Sequence, residues 1–114
     1  LDVIDNEALQ HNAEVVGTYF LNRLASLQQR HALVGDVRGK GLYAGVELVT
    51  SRETKQPATR QAFLISERMM QLGVITYPNA RFDNVLKFKP PMVFSHENAD
   101  LVVDTLDRVL TEGW

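Results

Sequence analysis

The stretch that most constrains this chain is Val34 to Leu48. Within it, Arg38-Gly39-Lys40-Gly41 reads as a tight turn, because two glycines accept a positive φ without a Cβ clash. Beyond the turn, Leu42, Ala44, Val46 and Leu48 alternate with Tyr43, Gly45 and Glu47. That is the period of two of a strand with one buried face. Ahead of the turn, Val34 to Arg38 is short and β-branched, so the whole piece is predicted to be a β-hairpin.

Helical periodicity flanks it. Leu9, Ala13, Val16, Phe20, Leu24 and Leu27 mark one face of a helix over 5–30. Asp2, Asp5 and Glu7 at its start and Arg23, Arg30 and His31 toward its end suit the helix dipole. Gly17 inside it costs about 1 kcal/mol relative to alanine, and close packing against another element accounts for it. Thr50 to Pro57 is a polar loop, with Pro57 suited to a helix's first turn. Ala58, Ala62, Ile65, Met69 and Leu72 give a second stripe over 58–72, stopped by Gly73. Val74 to Tyr77 and Val85 to Lys89 read as strands, ended by Pro78-Asn79 and Pro90-Pro91. Ser95 is a good N-cap for a last helix over 96–111, with Glu97 in its first turn and Ala99, Val102, Leu106 and Val109 as its stripe. The order α-β-β-α-β-β-α, with one apolar face per element, predicts an α+β domain: a small, mainly antiparallel sheet with helices on one face.

At 114 residues the chain is one domain, residues 1–114, able to hold a core without staples. A net charge of −2 gives no general attraction to nucleic acid or an anionic membrane. Without cysteine there are no disulfides or thiolate metal sites in the chain, which fits a cytoplasmic protein. No apolar run approaches the roughly 20 residues of a membrane-spanning helix. The opening Leu1-Asp2-Val3 reads as a piece cut from a longer polypeptide.

Gly39-Lys40-Gly41-Leu42-Tyr43-Ala44 matches G-x-G-x-x-[GA], but a dinucleotide site needs that pattern to open a helix, and here alternation runs on into a strand. Residues 35–40 approach a phosphate-binding loop with the wrong spacing and no Ser or Thr after Lys40. His11, His31 and His96 stand in no ligand spacing, so they are taken as solvated or capping groups and no metal site is expected. No catalytic constellation is visible. The chemically suggestive strand is Val85 to Lys89. With Leu86 and Phe88 toward the helices, Val85, Lys87 and Lys89 fall on the opposite face, where two ammonium groups could meet an anion. The plainer alternative is lysine that keeps an exposed strand soluble.

Val34-Gly35-Asp36-Val37-Arg38-Gly39-Lys40-Gly41-Leu42, Gly45-Val46-Glu47-Leu48, Gly73-Val74-Ile75, Lys89-Pro90-Pro91-Met92 and Asp104-Thr105-Leu106-Asp107 together resemble the C-terminal small domain of class III aminotransferases, in order and spacing. The resemblance implies a homodimeric, fold-type I enzyme that uses pyridoxal phosphate, with the Schiff-base lysine on a large domain absent from these residues. It implies that none of Lys40, Lys55, Lys87 and Lys89 is that lysine, and that this fragment alone is inactive. Many members carry arginine three residues before the Pro-Pro pair, where this chain has Lys87. A lysine is a point charge and not a bidentate fork. Lys-Phe-Lys-Pro-Pro-Met is more similar to the phospho-lyase and alanine–glyoxylate aminotransferase-like branch. The substrate-binding candidates that follow are Lys87, Lys89 and Arg38, acting on a small amino or phospho-amine substrate. Arg38 has two readings: an electrostatic contact at the site's mouth, or a hydrogen-bonded tie for the hairpin. The alternative to an enzyme part is a non-catalytic α+β module for anion binding or dimerisation.

Overall fold

The computed structural model describes the backbone of residues 3–91 and 93–114, and the side chains of 8–91 and 93–114. Asp2, the side chains of Asp5 and Glu7, and Met92 lie outside the described residues. The elements are α1 (Val3–Arg30), β1 (Val34–Lys40), β2 (Tyr43–Ser51), β3 (Gln56–Pro57), α2 (Thr59–Gln71), β4 (Tyr77–Asn79), β5 (Val85–Phe88) and α3 (His96–Glu112). The sheet runs β1-β2-β5-β4, with β3 paired to β2, and every pairing is antiparallel.

The hairpin turn sits later than expected. Arg38, Gly39 and Lys40 belong to β1, Lys40 pairs with Tyr43, and the two-residue loop is Gly41-Leu42. Gly41 takes φ +57°, the left-handed value that two-residue hairpins favour at the first loop position. Leu42 is therefore a loop residue, half-buried against the core. Pro57 also differs from expectation: it pairs with Val49 in β3, and Ala58 precedes the helix. The fourth strand begins at Tyr77 and includes Pro78. An edge strand tolerates proline, because only one side of it must donate to the ladder.

The core lies between the sheet and the three helices. Val16, Phe20, Leu24 and Leu27 of α1 meet Ala62, Ile65 and Met69 of α2, Val103 and Leu106 of α3, and Ala44, Val46, Leu48, Leu86 and Phe88 of the sheet. Phe20 packs edge-on against Phe88 and Phe94, with ring centroids 6.0 and 5.4 Å away. Leu9 and Ala13, on the same stripe, are only half-buried. On α3 the buried positions are Ala99, Val103, Leu106 and Val109, with Val102 half-buried beside them.

The capping chemistry of α3 is as read from the sequence, and fuller. The Ser95 side chain accepts from the Asn98 backbone N–H at 3.0 Å, and the Asn98 side chain accepts from the Ser95 N–H at 3.1 Å. Gly73, after α2, holds φ +91°. Gly17 packs against the hairpin loop so closely that a Cβ there would stand 2.0 Å from the Gly41 carbonyl oxygen.

Arg23, Arg30 and His31 do more than face a dipole. Arg23 pairs with Asp100 at 2.7 Å and Asp104 at 2.9 Å, while Arg30 and His31 both reach Asp107, at 2.7 and 2.6 Å. Tyr19 donates to Asp100 at 2.5 Å and meets the His96 ring edge-on. His31 is thus a bonded, largely covered side chain and not a solvated one. These polar contacts clasp α1 to α3 outside the core. Bonds to Tyr19 and Asp104 raise the Arg23 pKa above its ordinary value. The bond from Tyr19, with Arg23 behind it, holds Asp100 below the ordinary carboxylate range against the opposing effect of desolvation.

Candidate functional site on the uncovered sheet face

The three described helices pack on one face of the sheet, and the opposite face carries the alternate positions of each strand. Two cross-strand rows can be read there from the register. One is Arg38–Gly45–Lys87–Tyr77, and the next is Asp36–Glu47–Val85–Asn79. Arg38 and Lys87 therefore stand two strand spacings apart, roughly 10 Å, across a glycine. The topology brings together two of the three candidate residues, although about fifty positions separate them in the chain.

Arg38 is already engaged. Its guanidinium donates to Asp36 at 2.9 Å and to Glu47 at 3.1 Å. Asp36 and Glu47 are direct cross-strand partners, a like-charge pair that would repel without the cation between them. Desolvation lowers the Arg38 pKa, but the bonds it donates to Glu47 and Asp36 outweigh it and leave the pKa raised. Beside these groups, Arg52 and Lys55 help line an open depression of about 520 Å³. Arg52 donates to the carbonyls of Gln28, His31 and Val34, closing the end of α1.

Lys87 is half-buried, and its ammonium lies over the Tyr43 ring, 5.4 Å from the centroid. Its backbone carbonyl accepts from the Thr76 hydroxyl at 2.7 Å, which ties β5 to the segment before β4. Lys89 follows the strand, is exposed, and lines a separate open groove of about 430 Å³ with Phe20, Val74, Phe88, Phe94 and Leu101. Val85 is on the outer face as alternation required, yet it is buried, because its side chain leans over Gly45: a Cβ there would meet Val85 Cγ1 at 3.0 Å. The outer face near Val85 is consequently less apolar to solvent than a strand-by-strand reading expects.

This arrangement can hold an anion by charge. One ammonium lies over an aromatic face, with Gly45 and Tyr77 as the cross-strand neighbours of its residue. Tyr43 and Tyr77 were not among the candidates read from the sequence. Alternation placed Tyr43 on the outer face, but only the β2–β5 register puts it within reach of Lys87.

Comparison with known proteins agrees with this architecture. The chain is 43% identical over 112 residues to alanine–glyoxylate aminotransferase 2 homolog 2 (mitochondrial) of Arabidopsis thaliana, covering 98% of this chain and 24% of that protein. It is 37% identical to a leucine/methionine racemase of Thermococcus litoralis, over 98% of this chain and 25% of that one. Among solved structures, an Arthrobacter phospholyase in complex with phosphoethanolamine superposes with TM-score 0.89 at 35% identity, covering 97% of this chain and 26% of that one. A PLP-bound (internal aldimine) amine transaminase from an uncultivated Pseudomonas species superposes with TM-score 0.84 at 32% identity, over 97% of this chain and 25% of that one. The chain thus spans about a quarter of the length of these relatives. A family model described as aminotransferase class-III matches residues 1–110, and this chain belongs to that family.

Proposed function

We propose that this chain is the C-terminal, substrate-closing domain of a pyridoxal-phosphate-dependent class III enzyme. The reaction is transamination of an amino compound or elimination of phosphate from a phospho-amine. In this reading Lys87 faces the anionic end of the substrate, Arg38 keeps the neighbouring hairpin charged and rigid, and Lys89 adds positive charge beyond the strand. The observation that carries it is the Lys87 ammonium, held on the sheet face that no helix among the described residues covers. The likeness to a phospholyase in complex with phosphoethanolamine supports a phosphate-bearing amine as substrate.

The residues described do not fit the cofactor by themselves. Lys40, Lys55 and Lys89 are exposed, and Lys87 lies on an open sheet face. Every described buried side-chain nitrogen and oxygen already has a hydrogen-bond partner, so none waits for a ring nitrogen or a phosphate. We therefore place the Schiff-base lysine and the pyridine partner on a large domain of the same polypeptide, within a cytoplasmic homodimer. The fragment alone is then inactive, since the cofactor supplies the electron sink of such reactions.

The test uses the longer polypeptide that contains this chain. Lys87→Ala should raise KM for an amine with a distal phosphate or carboxylate by about ten-fold or more, the worth of a charge-assisted hydrogen bond. Unchanged kinetics would remove Lys87 from the site. An internal-aldimine absorbance band in the longer protein and none in the 114-residue chain is the expected spectroscopic result. A band in the isolated chain would overturn the division of labour, and no band in either would overturn the enzyme reading.

A further inference from the structure

We infer that Tyr43 is a positioning residue for Lys87, an inference that rests on the reading of Lys87 given above. A lysine side chain has four rotatable bonds and a compact, strongly hydrated charge, so an exposed one samples many positions. Lys87 is opposite Gly45 in the sheet, and the space over that glycine is taken by Val85, whose Cγ1 lies 3.0 Å from where a Cβ on Gly45 would stand. Two residues earlier on the same face stands Tyr43, and the Lys87 ammonium rests over its ring. Val85 closes the space over Gly45, and the tyrosine on the other side is the end point.

Three neighbours restrict the other places that ammonium could go. Val85 leans over Gly45 from the next row. Glu47, the next outward carboxylate on β2, already accepts from Arg38 at 3.1 Å. The Thr76–Lys87 hydrogen bond fixes the backbone from which the side chain starts. An ammonium held in this way meets an incoming phosphate or carboxylate with less conformational freedom to lose. The contribution expected of an exposed cation–π contact corresponds to about two- to five-fold in affinity. The competing explanation is that Tyr43 is merely an aromatic residue suited to a strand.

The experiment uses the longer polypeptide and ethyl phosphate as the probe, a phosphate monoester without an amine that cannot turn over. Its Kd is measured by calorimetry at fixed ionic strength for wild type, Tyr43→Phe, Tyr43→Val, Lys87→Ala and the Tyr43→Val/Lys87→Ala double variant. KM and kcat are measured in parallel on the amine substrate. Tyr43→Phe keeps the ring and should stay within about two-fold of wild type. Tyr43→Val should weaken ethyl phosphate by about two- to five-fold and raise KM with kcat held. In the Lys87→Ala background, Tyr43→Val should change nothing further. Additive losses, a fall in kcat without a change in KM, or equal damage from Phe and Val would assign Tyr43 a structural role and overturn the inference. If Lys87→Ala weakens the probe and Tyr43→Val does not, the inference falls alone. If Lys87→Ala itself leaves the probe unaffected, the reading of Lys87 falls and takes this one with it. Should Tyr43→Val fail to fold, Tyr43→Leu removes the ring with a different side chain and is read by the same criteria.

Discussion

Gly17 shows how one missing methyl group joins two elements. In an exposed helix, replacing it with alanine would stabilise by about 1 kcal/mol. Here the added Cβ would stand 2.0 Å from the carbonyl oxygen of Gly41, a backbone atom that cannot swing aside. Gly17→Ala is therefore expected to destabilise, by about 1–3 kcal/mol as for an overpacked core, measured as a lower urea midpoint. That Gly17 marks a close approach was legible from its position inside a helical stripe. Its partner was not, because nothing local in the sequence links residue 17 to a loop at residue 41. Asp100 gives a second test at this scale. Its carboxyl is held below its ordinary pKa chiefly by the Tyr19 bond, with Arg23 adding to it. A depressed folded pKa contributes stability above the unfolded value of about 3.9, and that contribution is lost as pH falls through the lower folded value. Asp100→Asn should lower the melting temperature near neutral pH and flatten its fall below about pH 4. An acid limb identical to wild type would show that the clasp is not coupled to folding.

Among the elements, both ends of α3 and the end of α2 were the most readable, because caps act within a few residues, whereas the start of α2 was misplaced by Pro57. Ser95→Ala should cost about 1 kcal/mol by removing the acceptor for the Asn98 N–H, with a matching loss of helicity near the start of α3. An unchanged unfolding midpoint would mean that solvent replaces the cap without cost. The sheet was legible as hairpin plus strands but not as an order, since the crossover that sets β5 between β2 and β4 depends on helix packing at long sequence separation. β3 is only two residues long and too short for any period to show. The clasp between α1 and α3 had a signal that single-helix reading passes over. Asp100, Asp104 and Asp107 step by four and three, and Tyr19, Arg23 and Arg30 step by four and seven, so each set lies on one helical face. Two complementary stripes of this kind identify facing helices that run in the same direction, since Tyr19, Arg23 and Arg30 meet Asp100, Asp104 and Asp107 in ascending order. The candidate site was half-legible for the same reason: alternation put Lys87 on the outer face, while its approach to Tyr43 needed the register.

At the scale of the whole molecule, the long axis of 48 Å follows from α1, whose 28 residues span about 42 Å at helical rise. The helices bury one face of the sheet, and the apolar surface that remains outside the core is concentrated elsewhere. Ile75, Val93 and Leu101 are 80, 71 and 61% exposed, against 37 and 47% for Tyr43 and Tyr77 on the outer sheet face. The 114-residue chain is accordingly expected to self-associate in sedimentation at high concentration, with Ile75→Lys shifting it toward monomer. A strictly monomeric chain would contradict this.

The one-sided sheet also separates two kinds of change. The side chains that hold the domain together point inward from β2 and β5, and the Arg38–Gly45–Lys87–Tyr77 row crosses all four strands of β1-β2-β5-β4 on the other face. A chimera that exchanges only the outward row between relatives can therefore leave the interior untouched, and thermostabilising substitutions in the interior can leave the row untouched. Sequence drift along these strands is free to alter what the protein recognises without first having to rebuild what it is made of.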